Sequence, residues 1–282
     1  MGAEPSTRST LHSSKVDTRD AAYGRAESPS GVLSEPFERW ISALETRHLA
    51  ELTTPEISRA LRALSSAYVE RRQRISRGEA LSGAGKRAAF ALFYGPLHYM
   101  IVRHIALELT RTTATGASLI IDLGCGTGAA SAAWASVLRN PPAILAVDRH
   151  PWALEEAART FRAFGLKART RLADITTFAL PDARAAMLAA FALNELPDPG
   201  RDALLARLLG RAERGDQLLI VEPLARRVAP WWDKWAGVVL KSGGRDDEWR
   251  FRAALPPIVA RLDRAAGLRH DELTARSLSL NL

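Results

Sequence analysis

The sequence has 282 residues, of which 47% are hydrophobic and 25% charged, an ordinary composition for a globular protein with one large domain and an accessory segment. No apolar run reaches the roughly 18 residues of a membrane-spanning helix, so we expect no membrane contact. Cys125 is the only cysteine, which excludes an intrachain disulfide and a multi-cysteine zinc or iron–sulfur site, so we predict no metal site and a reducing, cytoplasmic location. The formal charge of +8 favours anionic partners such as nucleic acid, although an arginine-rich composition produces the same bias without binding.

Composition and periodicity divide the chain into three parts. Residues 1–34 are rich in Ser, Gly, Pro and Ala and contain few large apolar side chains, which predicts a disordered leader. Residues 35–112 carry apolar side chains at helical spacing and predict a helical accessory or lid region. Residues 113–282 have a different rhythm and predict a single α/β domain.

Three helical stretches are predicted in the accessory region. The first carries apolar residues at helical spacing over 37–44, and the second begins after Thr53, where a threonine cap precedes Pro55. The third covers residues 86–109 and contains Gly95-Pro96, where we expect a kink or break because proline removes a helical hydrogen bond.

The large domain alternates short apolar runs with helical stretches, the pattern of a doubly wound α/β fold. At the end of the chain, Leu268–Leu273 and Arg276–Leu280 are predicted to form a closing antiparallel pair. Together with five earlier strands, this gives a mostly parallel, seven-stranded sheet with right-handed crossovers. The five earlier strands are expected near residues 119–121, 144–147, 168–173, 186–191 and 217–221.

The first predicted strand runs into a glycine-rich turn, Asp122-Leu123-Gly124-Cys125-Gly126-Thr127-Gly128, and a helix follows. Glycines let the backbone pass close to a ligand, and ligands of doubly wound sheets bind at the carboxyl ends of the strands. The Gly-x-Gly-x-Gly spacing differs from the Gly-x-Gly-x-x-Gly of dinucleotide folds. A carboxylate at Asp122 would repel a pyrophosphate but suits the ammonium of a methionine moiety, which favours S-adenosylmethionine (SAM) over NAD.

Two further acids follow the next two strands. Asp148 ends the second strand and is expected to accept hydrogen bonds from the ribose hydroxyls, although it could also be a solvated loop acid. Asp174 ends the third strand and is expected to accept the adenine amino group, with a helix cap toward Thr176-Thr177 as the alternative. The predicted cofactor-binding residues are Asp122, Gly124, Cys125, Gly126, Gly128, Asp148, Arg149, Asp174, Ile175 and Asn194.

The turn and the two acids resemble the motifs of class I SAM-dependent methyltransferases, over about residues 85 to 282. That resemblance implies a Rossmann-like sheet and SAM as the cofactor. Within the superfamily, the chain is similar to methyltransferase-like proteins associated with the small ribosomal subunit. The similarity lies in the helical segment ahead of the sheet, in Ala192-Leu193-Asn194-Glu195-Leu196, in Val221-Glu222-Pro223 and in Ala275-Arg276-Ser277-Leu278.

The sequence departs from that branch in one respect. Its members often carry a cysteine set thought to hold an iron–sulfur cluster, and the corresponding stretch here, about residues 241–252, has no cysteine. A cluster function therefore does not carry over, and the ribosomal role is put in doubt with it.

Asn194 and Glu195 follow the fourth strand, beside the expected position of the transferred methyl, and are the predicted catalytic residues. Asn194 could orient an acceptor and Glu195 could take a proton. Alternatively, Glu195 caps the next turn or pairs with an arginine. The Asn-Glu-Leu-Pro sequence is not the Asn/Asp-Pro-Pro-aromatic motif of many amino-directed base methyltransferases, which argues against exocyclic base amines as acceptors.

Tyr94, His98 and Tyr99 precede the sheet and are predicted to contact substrate, because segments there commonly fold over the cofactor; helix packing is the alternative. Trp231 and Trp232 are also predicted to contact substrate. They lie among basic residues that include the arginines at 226 and 227, a mixture that could stack bases and hold phosphates or could cover a small-molecule pocket. The arginine run at residues 71–77 is a second candidate phosphate contact.

Three functions remain open on these grounds. The leading hypothesis is a SAM-dependent methyltransferase that acts on or docks to ribosomal RNA, with RNA or the small ribosomal subunit as its partner. The second is a small-molecule methyltransferase with a helical lid. The third is a ribosome assembly factor that binds SAM without transferring its methyl group, because no residue is an unmistakable catalytic base.

Overall fold

The structure, a computed structural model, describes residues 34–70, 81–110, 117–225 and 229–282. The predicted leader, apart from Ser34, and the arginines at 71–77, 226 and 227 lie outside these residues. Within them, no helix combines the length and the apolarity that crossing a membrane requires.

The accessory region is helical, as predicted. Its elements are α1 (Glu35–His48), α2 (Thr54–Glu70), α3 (Ala84–Ala89), a π-helical turn (Phe90–Tyr94) and α4 (Gly95–Thr110). The apolar positions of α1, Phe37, Trp40, Ile41 and Leu44, are all buried. The indole N–H of Trp40 donates to the Thr160 hydroxyl at 3.1 Å, which ties α1 to the large domain.

The expected irregularity at Gly95-Pro96 lies one turn earlier than predicted. Gly95 itself is helical and its N–H donates to the Phe90 carbonyl, five residues back, so that Phe90–Tyr94 form a π turn. Proline cannot donate a hydrogen bond and its ring excludes the carbonyl four residues before it, so the wider turn ahead of Pro96 avoids that conflict. The π turn brings Phe90 and Tyr94 to the same cavity.

The large domain contains one seven-stranded sheet in the order β3-β2-β1-β4-β5-β7-β6, in which β1 to β5 run parallel and β7 is antiparallel to both its neighbours. This confirms the predicted fold class. The strands are β1 (Leu119–Leu123), β2 (Ala143–Asp148), β3 (Ala168–Leu172), β4 (Ala185–Ala190), β5 (Gln217–Glu222), β6 (Arg245–Phe251) and β7 (Leu273–Leu280). The helices are α5 (Ala129–Val137), α6 (Pro151–Ala163), α7 (Asp198–Ala212), α8 (Trp232–Lys241) and α9 (Pro257–Ala266).

The predicted closing pair is wrong in one strand. The strand opposite β7 is Arg245–Phe251, not Leu268–Leu273. The charged run at the start of β6 resembles a loop in sequence because this edge strand exposes most of its side chains. The segment after α9 turns instead, since Gly267 ends the helix at φ 72°.

The central strands fix the position of the site. Every residue of β4 and β5 is buried, as expected for the middle of a sheet covered on both faces. Because β1 lies between β2 and β4, the strand order reverses there, and the crevice at the carboxyl ends of β1 and β4 is where such sheets bind ligands.

Candidate active site

A cavity of about 240 Å³ opens at the carboxyl ends of the parallel strands. The turn after β1 and the ends of β2 and β3 form one side of it. The segments after β4 and β5, together with the π turn and α4, form the other. We call these two sides the cofactor end and the acceptor end.

Glycine is required in the turn for two different reasons. Gly124, Gly126 and Gly128 have φ values of 76°, 51° and 72°, which side chains rarely adopt. A Cβ on Gly124 would lie 2.5 Å from the Ala192 Cβ, and one on Gly128 would lie 2.7 Å from Phe161. The turn therefore packs tightly against the protein at both ends, whereas Gly126 borders the cavity.

Of the predicted cofactor-binding residues of the turn, Gly124, Cys125 and Gly126 line the cavity, and Asp122 and Gly128 do not. Gly128 instead precedes α5 as its N-cap. Burial raises the pKa of the Cys125 thiol, with the charges of Asp122 and Asp148 adding to the effect, so this cysteine is a packing residue rather than a nucleophile.

Asp122 lies beneath the turn with 1% of its surface exposed. Neither carboxylate oxygen forms a hydrogen bond of ordinary geometry among the described residues, although Ser131 lies close enough to act on the carboxylate. Burial raises the pKa of Asp122 to about 7; the Asp148 charge raises it further and Ser131 lowers it. Asp122 does not itself line the cavity, so its contact with the cationic amino group of the cofactor stays a prediction, which the cost of burying a carboxylate without a cationic partner favours.

Asp148 is not a solvated loop acid. Its Oδ2 accepts the Gly126 N–H at 2.9 Å and its Oδ1 accepts the His150 N–H at 2.8 Å. These bonds hold the carboxylate against the turn, on the cavity wall. Each oxygen retains a lone pair that can accept a ribose hydroxyl.

Asp174 and Ile175 also line the cavity. The Asp174 Oδ1 accepts the N–H and the hydroxyl of Thr176, at 2.8 and 2.6 Å, so the cap considered as an alternative does form. The Thr176 hydroxyl is the main reason that the pKa of Asp174 is lowered. Among the described residues only Oδ1 is engaged, so the cap and a cofactor contact through Oδ2 are compatible.

Asn194 is held by residues that are distant in sequence. Its Oδ1 accepts the Trp231 indole N–H at 2.9 Å, and its Nδ2 donates to Glu222 Oε2 at 2.5 Å. Glu222 also accepts the Leu193 N–H at 2.9 Å. This network fixes the segment after β4, and it leaves one Nδ2 hydrogen of Asn194 for a ligand.

Glu222 was not among the predicted site residues. It lines the cavity with none of its surface exposed, and burial raises its pKa to about 8. The sequence did contain a signal, since an acid ends β5 just as one ends β2, and acids also occupy the penultimate position of β1 and follow β3.

Glu195 pairs with an arginine, as the alternative had it. Its Oε2 lies 3.3 Å from Arg149 Nη2, and the two side chains are 30% and 38% exposed. Burial raises the pKa of Glu195 to about 7, and Arg149 opposes that rise. Arg149 and Glu195 both line the cavity, so the pair bridges its two ends.

Four aromatic rings form the wall of the acceptor end: Phe90, Tyr94, His98 and Phe191. The His98 ring stacks on Phe191 with 4.0 Å between centroids. Burial lowers the pKa of His98 to about 3 and raises that of Tyr94 to about 12, so both rings are neutral at physiological pH. Phe191 was not predicted, and its φ of 57° is a left-handed conformation that costs a phenylalanine about 1–3 kcal/mol.

Three predicted substrate contacts are corrected. Tyr99 is 2% exposed, stacks between Phe37 and Phe164, and bonds the Ser136 hydroxyl away from the cavity. Trp231 and Trp232 are 7% and 2% exposed, so neither can stack a base. They are core residues whose indole N–H groups donate hydrogen bonds to Asn194 and Asp246, respectively.

Comparison with known proteins identifies the central part of the chain. Residues 120–214 match the family model described as "Methyltransferase domain". The match runs from β1 to just after the end of α7. No curated protein matches the chain significantly. Since the matched residues contain the glycine turn and Asp148, the chain is a SAM-dependent methyltransferase with SAM as its cofactor.

Solved methyltransferase structures resemble the chain at low identity. The plantazolicin methyltransferase BpumL, in complex with a pentazolic desmethylPZN analog and SAH, has a TM-score of 0.48 and 11% identity, with 80% of this chain and 97% of that chain covered. The small RNA methyltransferase HEN1 has a TM-score of 0.43 and 15% identity, covering 64% and 25%. A putative RNA methyltransferase, PH1948 from Pyrococcus horikoshii, has a TM-score of 0.42 and 14% identity, covering 65% and 84%.

Proposed function

We propose that the chain methylates a small-molecule acceptor that enters the cavity at the acceptor end. The aromatic wall carries this proposal. Phe90, Tyr94, His98 and Phe191 surround a confined space beside Asn194 and Glu195, of the kind that buries a small ligand. The tryptophans that would have supplied a base-stacking surface are buried in the core.

The predicted cofactor residues fit SAM at the cofactor end. We assign its methionine part to the turn above Asp122, its ribose to Asp148 and its adenine to the side lined by Asp174 and Ile175. When bound there, SAM supplies a methyl group already activated by the sulfonium.

The chain's own residues would then position the acceptor and accept its proton. A Glu195 carboxyl with a pKa of about 7 is a better base at neutral pH than an ordinary glutamate, and Arg149 holds it toward the cavity. Asn194, fixed on both sides, would orient the acceptor with its remaining N–H. The aromatic wall keeps water from the reacting atoms.

Label transfer into separated fractions of a cell extract tests this function. Extract is incubated with the protein and SAM labelled in its methyl group, then divided into small molecules, RNA and protein. We expect label among the small molecules, resistant to ribonuclease, and strongly reduced with Asp148→Ala. Label confined to RNA would favour the second candidate below, and SAM binding without any label would mean that the chain is a non-catalytic SAM-binding factor.

The second candidate is a methyltransferase that acts on or docks to ribosomal RNA, and one surface favours it. Lys167, just before the outer edge strand β3, and Arg169 and Arg171 within it alternate along the chain, all exposed, and none forms an ion pair within the part of the chain that the structure describes. Such a row can follow a phosphate backbone, although charged side chains also protect edge strands from aggregation.

Salt dependence distinguishes these explanations of the β3 row. Single-stranded RNA affinity should fall with a log–log slope of about −0.7 per phosphate contacted. If the row binds RNA, replacing all three basic residues by alanine should reduce the slope by about 2. An unchanged slope, or no RNA binding at physiological salt, would remove this candidate.

A further inference from the structure

The charge of the cavity is opposite to that of the protein. The chain carries a formal charge of +8, yet the cavity is lined by four carboxylates: Asp148, Asp174, Glu195 and Glu222. The cationic side chain that faces them in the cavity lining is Arg149, which is already paired with Glu195.

Two of these acids belong to the acceptor end. Asp148 and Asp174 stand at the ends of β2 and β3, where the proposed function places the cofactor. Glu195 and Glu222 lie across the cavity, after β4 and at the end of β5. Glu195 and Glu222 can therefore contact a methyl acceptor in the part of the cavity that the cofactor leaves open.

The Glu222 carboxylate is held by neutral donors alone. It accepts the Leu193 N–H and the Asn194 side-chain amide, and within the described residues no cation lies within ion-pair distance of it. Arg276 acts on it only from further away. Because burial raises its pKa to about 8, this carboxyl group ionises readily at neutral pH only when a ligand brings a positive charge beside it, and it faces an open cavity that such a ligand can enter.

The aromatic wall has the same preference. Phe90, Tyr94 and Phe191 present neutral rings, and such rings attract a cation over their faces. A neutral His98 adds no repulsion. A carboxylate, phenolate or phosphate would instead meet Glu222, which has no cationic partner within ion-pair distance among the described residues, and Glu195, whose partner Arg149 is already engaged.

We infer that the methyl acceptor is an aliphatic or arylalkyl amine, which enters as the ammonium between Glu222 and the aromatic wall. This inference rests on the proposed small-molecule methyltransferase function. It names the chemical class of the acceptor, which neither the glycine turn nor the methyltransferase domain specifies.

Methyl transfer from SAM to the amine requires one proton acceptor, and Glu195 can supply it. The ammonium gives one proton to the Glu195 carboxylate and becomes a neutral amine with a lone pair. That lone pair forms the new nitrogen–carbon bond while the carbon–sulfur bond breaks and its electron pair stays on sulfur. The products are a methylated ammonium and S-adenosylhomocysteine (SAH), and Glu195, which is partly exposed, returns its proton to water.

The test uses amines and matched compounds that lack the charge. Benzylamine, phenethylamine and n-butylamine are compared with benzyl alcohol, benzoate and phenol as acceptors of labelled methyl, and their binding to the SAH complex is measured by calorimetry. We expect the amines to bind, with at least one of them methylated, and the alcohol, acid and phenol to do neither. Transfer to benzoate or phenol, or no amine binding at all, overturns the inference.

Glu222→Gln separates an acceptor role from a cofactor role. Because a hydrogen-bonded charge pair is lost, we expect the amine KM to rise about tenfold to a hundredfold, with SAM and SAH affinities unchanged. Weaker SAM binding at unchanged SAH affinity would assign Glu222 to the sulfonium and overturn the inference. Retained SAH binding reports that the variant folds, and Glu248→Gln, on the exposed far edge strand β6, is the matched control.

If neither SAM nor SAH binds the wild-type protein, the proposed function fails at the cofactor end. If both bind and only the amine results fail, the function stands and the acceptor class is wrong. The two failures are therefore distinguishable.

Discussion

The two ends of the cavity are constructed differently. The cofactor end is largely one continuous segment, in which β1 leads into the glycine turn and Asp148 follows from the neighbouring strand. The acceptor end is assembled from the π turn, the segment after β4, the end of β5 and the start of α8. The first end depends on backbone geometry, whereas the second depends on side-chain contacts between distant parts of the chain.

Because of this difference, substitutions at the two ends should affect different steps of catalysis. Changes at the cofactor end should alter SAM affinity through the backbone or through an uncompensated charge. Changes at the acceptor end should alter the acceptor KM or kcat and leave SAM affinity intact. If that division holds, the largest effect should come from the glycine turn.

Gly124→Ala should abolish most SAM binding. The new Cβ would lie 2.5 Å from the Ala192 Cβ at a φ of 76°, so strain and overpacking of about 1–3 kcal/mol each would displace the turn. A displacement of about 1 Å can reduce catalysis about a hundredfold. Calorimetry with SAH and thermal unfolding measure the two effects.

Gly165→Ala is the matched control. Gly165 has a similar φ of 66°, but a Cβ there would meet nothing within 4 Å. We expect a loss of about 1 kcal/mol in the free energy of unfolding and no change in SAH affinity. Equal effects of the two substitutions would show that strain alone, not the contact with Ala192, controls the turn.

Asp122→Asn should stabilise the ligand-free protein while weakening SAM binding. Burial raises the folded-state pKa of Asp122 to about 7, so the folded protein binds more protons than the unfolded chain between pH 4 and 7. The wild type therefore loses stability as the pH rises through this range. At pH 8 we expect the variant to gain about 2–4 kcal/mol in the free energy of unfolding, with less than half of that gain at pH 5.

Asp216→Asn provides the opposite case. Asp216 is also buried, but Arg211 pairs with it and the Ala185 N–H donates to it at 3.0 Å. Removing one partner of such a pair should destabilise the protein by about 3–5 kcal/mol. If both variants shift stability in the same direction, Asp122 does not carry an uncompensated charge.

Trp231→Phe should reduce kcat several-fold without changing SAM affinity. It removes the hydrogen bond to Asn194 Oδ1, which is worth about 0.5–1.5 kcal/mol, and releases Asn194 to turn away from the acceptor. Trp232→Phe removes a comparable bond to Asp246, on the side facing β6. The two variants should lose similar stability, and only the first should lose activity; equal activities would show that Asn194 is not oriented through Trp231.

The same division explains what the sequence could predict. The turn, Asp148 and Asp174 are recognisable because strand, glycines and acids follow one another locally, and the fold class follows from the alternation of elements. The pairing of His98 with Phe191, and of Trp231 with Asn194, depends on which distant elements meet. The predicted closing strand was wrong for a related reason, since β6 shows its pairing only beside β7.

The smallest expected effect concerns acid stability at the acceptor end. Burial lowers the pKa of His98 to about 3, so between pH 6.5 and 3 the unfolded chain binds a proton that the folded protein does not. Stability is therefore lost as the pH falls below about 6.5. His98→Phe keeps a ring against Phe191 but cannot titrate, so its Tm should fall less than that of the wild type between pH 7 and 5, by about 2–4 °C.

His104→Phe is the control. His104 also stacks on a phenylalanine, Phe251, but burial lowers its pKa less than that of His98, and Glu108 opposes the shift. The His104 substitution should change the pH profile less. Parallel profiles for the wild type and His98→Phe would show that the aromatic wall admits enough water to solvate a charged imidazole, and the acceptor end would then be a wetter site than the neutral ring implies.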